Sequence, residues 1–300
     1  MYILITGATG FLGTKLIKKL LDKNYKIIAV VRKKKSIPKK ILKNPNITWL
    51  KCNLEKETIK FSKNINIKAA FHLAGATSGK KLSKKEFLKK NEMTTINFLK
   101  SIQLKTNRII YTSSQVVYGN PGSLNISERF PLTKFPTPYS LSKINGEIQI
   151  KKSQEKFNNM SIILRLSGFI EGGGNIDYII DCALKNKEIL LYSKGSVRRD
   201  YMPVNNAIEV FVKCIDLKYN PQNLILNLGS GKALSSFKIA SIVCRALNSK
   251  STIRLSTEKV QINDFLLDID KSNKFFNLRP VKIIDEIKRY SIYKKTYEKN

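Results

Sequence analysis

With 55 basic residues against 22 acidic ones, the 300-residue chain carries a net charge of +33, enough to attract polyanions. Its lysines are spread along the whole length with no helix-turn-helix, zinc-finger or RNA-recognition pattern, so no specific nucleic-acid partner is expected beyond non-specific sticking in low salt. An apolar share of 42% supports a full core, while no apolar run approaches the roughly 18 residues of a membrane span and no signal-like leader opens the chain, so a cytoplasmic protein is expected.

In chain order, "YILIT" (2–6) reads as a strand, followed by a helix over about 11–23 with Leu12, Leu16 and Leu20 on one stripe. "KIIAVV" (26–31), "ITWLKC" (47–52), "AAFHLA" (69–74) and "RIIYTSS" (108–114) are the next strands, with a helix over 83–105 before the last. A helix over 137–157 and the strand "MSIILRL" (160–166) follow. Near-continuously apolar strands separated by helices predict an α/β chain: a Rossmann-type, doubly wound parallel sheet covered on both faces. The second half is less regular, with the glycine loop "EGGGN" (171–175), helices near 176–186, 204–217, 235–247 and 281–292, and short strands near 189–192, 224–228 and 252–255. The tail "YKKTYEKN" (293–300) reads as frayed. This divides the chain into a dinucleotide-binding domain, 1–165, and a smaller C-terminal substrate-binding lobe, 166–300, with about 204–230 crossing back. Cys52, Cys182, Cys214 and Cys244 lack metal or disulfide spacing and read as free thiols, so no metal is expected.

The first strand runs into Gly7, Gly10 and Gly13. Gly7 permits the tight turn, Gly10 lets a pyrophosphate approach the backbone and Gly13 lets the helix pack on the strand, while the helix amino end offers free N–H groups to the anion. The strand–glycines–helix context makes this a dinucleotide site. The second strand ends in Arg32, then Lys33, Lys34 and Lys35, where an acidic residue would hold the ribose of NAD. An arginine there pairs with the extra 2′-phosphate of NADP, so NADP is the expected cofactor and NAD the alternative. Further on, Tyr139 and Lys143 stand four apart at the start of a helix and point the same way. A nearby ammonium favours the phenolate and is expected to lower the tyrosine pKa, so that Tyr139 exchanges a proton with a substrate hydroxyl or ketone. Ser114, at the carboxyl end of a central strand, is placed to hydrogen-bond the reacting oxygen. His72, the only histidine, lies in a buried strand and reads as structural. "DID" (268–270) reads as a turn and helix cap.

The pieces "GATGFLG" (7–13), "FHLAG" (71–75), "SSQVVYG" (113–119), "YSLSK" (139–143), "RRDYMPV" (198–204), "NLGSGKALS" (227–235) and "LDIDKSNKFFNLRP" (267–280) together resemble the extended short-chain dehydrogenase/reductase family, the nucleotide-sugar epimerase/dehydratase group. The resemblance implies that Ser114, Tyr139 and Lys143 are catalytic. It implies that the cofactor is held by Gly7, Gly10, Phe11, Leu12, Gly13, Arg32, Asn53, Leu54, Leu73, Ala74, Gly75 and Asn91, with Tyr139 and Lys143 contributing. It implies a nucleotide-diphosphate sugar touched by Ser114, Gln115 and Arg199, and a homodimer formed through the helices at 83–105 and 137–157. Asn53 stands where the group normally has Asp.

Three departures narrow the activity. The sugar 4,6-dehydratases carry Asp-Glu where this chain has Gln115-Val116, which lacks the acid and base that dehydration needs. Gly168 takes the place of a substrate-touching asparagine, and "STEKVQINDF" (256–265) replaces an Arg-x-Gly-Asp stretch. The expected activity is hydride transfer at a sugar ring carbon, C4 in the group, by an epimerase or a 4-ketoreductase. The alternative is a non-catalytic NAD(P)-sensing or RNA-associated protein of the same fold.

Overall fold

The computed structural model describes residues 1–33, 39–61, 65–76, 83–218, 223–259 and 261–297. In chain order the elements are β1 (Tyr2–Thr6), α1 (Phe11–Leu21), β2 (Lys26–Val31), α2 (Lys39–Leu42), β3 (Ile47–Lys51), β4 (Ile67–His72), α3 (Lys84–Ile102), β5 (Arg108–Ser114), β6 (Ser123–Ile126), α4 (Pro138–Phe157), β7 (Met160–Leu166) and β8 (Gly168–Phe169). Then come α5 (Asn175–Leu184), β9 (Ile189–Leu191), β10 (Arg198–Met202), α6 (Val204–Ile215), β11 (Asn223–Leu228), β12 (Ala233–Ser235), α7 (Ser236–Leu247), β13 (Ile253–Leu255), β14 (Phe265–Leu267), α8 (Asp270–Phe276) and α9 (Ile283–Tyr297).

The chain divides into two compact units, one of residues 1–119, 132–165 and 208–226, the other of residues 120–131, 166–207 and 227–300. In the first, seven strands form one sheet in the order β3-β2-β1-β4-β5-β7-β11. The pairs β1–β2, β2–β3, β1–β4 and β4–β5 are parallel. The strand order reverses at β1, which pairs with β2 on one side and β4 on the other, so the switch point of a Rossmann-type sheet falls between the ends of β1 and β4. The register sets Thr6 beside His72, which brings Gly7 and Leu73 together at the carboxyl edge. All seven residues of β7, and the last five of β2, are buried, as a sheet covered on both faces requires.

Local signals place the two helices that carry site residues. Ser83 and Glu86 form a reciprocal capping box that starts α3. Thr137 caps α4 by accepting from the Ser140 N–H, and Pro138 follows at the first helical position. This fixes Tyr139 in the first turn of α4. The four cysteines are free, and no helix among the described residues is long and apolar enough to cross a membrane.

The second unit is built from short pieces. β10 pairs antiparallel with β12 and parallel with β8 and β14, and β14 pairs parallel with β6. Helices α5, α7 and α9 share a core of Ile179, Ile180, Ile239, Val243 and Ile287. Composition alone did not predict β6, β8, β10, β12 or β14, because strands of two to five residues carry too little periodicity. The tail expected to fray is helical as far as Tyr297, where the tilted rings of Tyr293 and Tyr297 meet at 4.4 Å and Lys294 pairs with Asp177 at 3.1 Å. In "DID", Asp268 Oδ1 accepts from the Asp270 N–H at 2.9 Å, an Asx turn that leads into α8.

Candidate active site

The glycine turn is a close-packed device. Gly7 has φ +67°, and a Cβ there would lie 2.8 Å from the Leu73 carbonyl carbon and the Ala74 nitrogen. A Cβ on Gly13 would lie 2.2 Å from the Gly7 carbonyl oxygen. Neither position admits a side chain, since the obstructing atoms are backbone. Gly10 caps α1 with no side-chain hydrogen bond, and α1 has no acidic residue in its first turn. Its first amides therefore lack a side-chain acceptor and face no negative charge of their own helix, which is the chemistry a pyrophosphate needs.

At the end of β2, Arg32 is exposed and its Nη1 lies 3.0 Å from Glu55 Oε1. Lys33 is exposed, and Lys34 and Lys35 lie outside the described residues. Asn53 Oδ1 accepts from the Glu55 N–H at 3.2 Å, and the Leu54 carbonyl accepts from Asn97 Nδ2 at 2.9 Å. The loop after β4 is held from α3: Asn91 Oδ1 accepts from the Ala76 N–H at 2.6 Å, and Asn91 Nδ2 donates to Ser142 Oγ on α4 at 3.0 Å. Asn91 thus ties Ala76, which follows the Leu73–Gly75 stretch, to the helix that bears Tyr139 and Lys143.

His72 is fully satisfied. Thr95 Oγ1 donates to the Asn91 carbonyl at 3.1 Å, so it accepts the His72 Nε2–H at 3.1 Å. Thr6 Oγ1 receives the Ala74 N–H and lies 2.9 Å from Nδ1, its donor in that tautomer. Burial, then the charge of Lys143, lowers the imidazole pKa to about 3. A neutral ring stacked on Phe98 at 4.3 Å is structural.

Ser114, Tyr139 and Lys143 meet at the carboxyl end of β5. Ser114 Oγ accepts from the Val116 N–H at 3.4 Å and lies near enough to the Tyr139 phenol to draw its pKa down. The Lys143 ammonium sits 5.9 Å from the Tyr139 ring centre and 5.2 Å from that of Tyr111, and donates to the Thr112 carbonyl at 2.8 Å. Phe87 of α3 meets the Tyr139 ring edge-on at 6.2 Å. Burial pushes the phenol above its ordinary value, and the Ser114 hydroxyl pulls it partly back. Burial also lowers the Lys143 pKa to about 8, against the pull of Glu147. The expectation that Lys143 lowers the Tyr139 pKa is therefore corrected: the ammonium is engaged by a backbone carbonyl, and the group that draws the phenol down is Ser114. Gln115 follows in a 3₁₀ turn, buried, and its amide oxygen has no hydrogen-bond partner among the described residues.

Sequence reasoning missed the pair beneath this site. Glu147, on the face of α4 that carries Tyr139 and Lys143, accepts from Arg165 Nε at 3.0 Å and Nη2 at 2.7 Å. Ser113 Oγ donates to Glu147 at 2.5 Å, and Arg165 Nη1 donates to Tyr118 Oη at 2.9 Å. An arginine inside the apolar run "MSIILRL" was the available signal, because a buried guanidinium demands a partner.

In the second unit the two adjacent arginines have different fates. Arg198 is clamped by Asp264, whose Oδ2 accepts from Nε at 2.8 Å and lies 2.6 Å from Nη2. Arg199 lies 5.0 Å over the Phe265 ring and donates from Nη1 to the Asn263 carbonyl at 3.2 Å. Asp264 and Asn263 belong to the stretch that replaces Arg-x-Gly-Asp. At Gly168, a Cβ would lie 2.9 Å from Tyr201 Cδ1, so the tyrosine ring occupies the room that a longer residue would need.

The chain matches the NAD dependent epimerase/dehydratase family over residues 3–229. It is 27% identical to the dTDP-4-dehydro-6-deoxyglucose reductase of Escherichia coli, covering 95% of this chain and 94% of that protein. It is 26% identical to the UDP-glucose 4-epimerase of Neisseria meningitidis, covering 79% and 80%. Among solved structures, that of the UDP-glucuronic acid 4-epimerase from Bacillus cereus with UDP-glucuronic acid and NAD superposes with a TM-score of 0.84 at 22% identity, over 99% of this chain and 100% of that one. The chain belongs to the NAD dependent epimerase/dehydratase family and is an enzyme of that class.

Proposed function

We propose that the protein is a nucleotide-sugar oxidoreductase acting at C4 of the sugar, an epimerase or a 4-ketoreductase, with Ser114, Tyr139 and Lys143 as its proton-transfer site. The observation that carries this reading is the convergence of Ser114, Tyr139 and the Lys143 ammonium, 5.9 Å from the Tyr139 ring centre, at the carboxyl end of β5. When bound, the nicotinamide coenzyme exchanges a hydride with the sugar carbon. Gly7, Gly10, Phe11, Leu12 and Gly13 would hold its pyrophosphate, Asn53 and Leu54 its adenine, and Leu73, Ala74, Gly75 and Asn91 would flank it.

Tyr139 moves a proton at its Oη, Ser114 steadies the sugar oxygen, and the Lys143 ammonium, held by the Thr112 carbonyl, stands beside the phenol ring. The diphosphate falls to Arg199, whose guanidinium has donors beyond its one bond to Asn263, whereas Arg198 is bound to Asp264. A substrate hydroxyl at Gln115 would supply the donor that its amide oxygen lacks. Arg32 makes NADP(H) the proposed coenzyme, because an exposed ion pair such as Arg32–Glu55 contributes only about 0–1 kcal/mol and yields to a phosphate dianion. A second copy of the chain would pack on α3 and α4, where Ile148 is exposed.

The test is a screen of nucleotide-diphosphate sugars and their 4-keto forms with NADPH and NADH. Oxidation of NADPH by a 4-keto sugar is expected. C4 inversion with coenzyme retained would assign the epimerase instead, and no turnover with any of them would remove the reading.

A further inference from the structure

Lys143 and Glu147 stand four residues apart on α4, a spacing at which opposite charges on a helix pair. Among the described residues no ion pair joins them. Both oxygens of Glu147 are taken by the Arg165 fork, at 3.0 and 2.7 Å, and Oε1 also receives Ser113 Oγ at 2.5 Å. Arg165 and Glu147 are 3% and 2% exposed, so water does not compete for either. Lys143 is left to donate to the Thr112 carbonyl at 2.8 Å, beside the rings of Tyr111 and Tyr139. We propose that Arg165 is a positioning residue for the proton-transfer site: by occupying Glu147 it prevents that carboxylate from capturing the Lys143 ammonium.

The chemistry favours this division of labour. Arginine stays charged at any working pH, and its planar fork matches a carboxylate with two parallel bonds, so Glu147 gains little by turning to a lysine. Without Arg165 the buried carboxylate is uncompensated, and the cation one turn away on its own helix is Lys143. The same carboxylate pins Ser113, the residue between the Thr112 carbonyl that receives Lys143 and the Ser114 hydroxyl that meets Tyr139. The charged and titratable groups facing Lys143 are Tyr139 and Glu147 from α4, Tyr111 from β5 and the neutral His72 from β4.

The proposal rests on the reading of Lys143 given above, but its test needs neither substrate nor coenzyme. Trace acylation of lysine amines across pH, read by mass spectrometry on the Lys143 peptide, reports the titration of that amine directly. The wild-type midpoint is expected near about 8. In Arg165→Met the midpoint should rise by about one unit as Glu147 takes the ammonium. In Glu147→Gln it should fall below the wild-type value. In the double variant E147Q/R165M, which removes both the guanidinium and the carboxylate, the rise should vanish. Should Arg165→Met fail to fold, Arg165→Lys keeps the charge but frees one Glu147 oxygen, and a smaller rise is expected. A Lys143 midpoint unmoved or lowered in the folded Arg165 variant, or a rise that persists in the double variant, overturns the proposal. If no nucleotide sugar is turned over while these shifts appear, the functional reading fails and the positioning role of Arg165 stands.

Discussion

The surroundings of Tyr139 in the first unit and of Arg199 in the second use their polar groups differently. Around Tyr139, protein partners take most of the bonding capacity: Ser114 beside the phenol, Thr112 on Lys143, Arg165 and Ser113 on Glu147, and two threonines on His72. Among the described residues, Arg199 makes one bond to a backbone carbonyl and rests on the face of Phe265. A group whose partners are already in place moves a proton without rearrangement, which suits a fixed chemical step. A guanidinium with donors to spare suits a ligand that arrives from outside. In the proposed function the first region moves the proton and the second holds the substrate's diphosphate.

The sharpest way to break this contrast is Tyr139→Phe. We expect kcat to fall on the order of 10²–10⁴-fold while coenzyme affinity, measured by titration calorimetry, is retained. Unchanged turnover would show that the proton moves elsewhere. Next is Gly13→Ala, whose Cβ would meet the Gly7 carbonyl oxygen at 2.2 Å. The backbone must shift, so a stability loss of about 1–3 kcal/mol is expected by thermal unfolding, together with loss of dinucleotide binding.

For the second region, Arg199→Met should raise KM for the nucleotide sugar on the order of 10–100-fold, the loss of one charge-assisted hydrogen bond of roughly 1.5–3 kcal/mol. Coenzyme affinity should not change, and a fall in kcat with unchanged KM would place Arg199 in the chemistry instead. The pH profile sharpens the first region. As pH rises through about 8 the Lys143 charge is lost and kcat should fall, while Lys143→Arg should carry that limb beyond the measurable range. Lys143 alone makes the fold more stable as pH rises from about 8 to 10.5, because over that window the unfolded chain still binds the proton that the folded one has released. The smallest effect expected is that of Glu55→Gln, which frees Arg32 and should improve NADPH over NADH by a few-fold in a competition assay, in line with about 0–1 kcal/mol for an exposed pair.

Much of the first unit was legible in the chain because its signals are local. Apolar strands alternate with helices, Gly7 needs a positive φ, and Tyr139 follows a Thr-Pro start to its helix. The second unit was less legible because its strands are two to five residues long and pair with partners far away in sequence, as Arg199 does with Phe265. Spacing placed Tyr139 beside Lys143 but misjudged what their meeting does, since the Thr112 carbonyl and the Ser114 hydroxyl come from another strand.

By itself the sequence determined the parallel sheet, the glycine turn and the residue types at the edge of β5, because each follows from periodicity and backbone sterics within a few neighbours. Only the tertiary structure decided that Arg165 neutralises Glu147, that Asp264 holds Arg198 and leaves Arg199 with donors to spare, and that Tyr201 fills the room beside Gly168. These are contacts between residues far apart in the chain, and which cation meets which carboxylate is settled by burial and distance, neither of which is written in any local pattern.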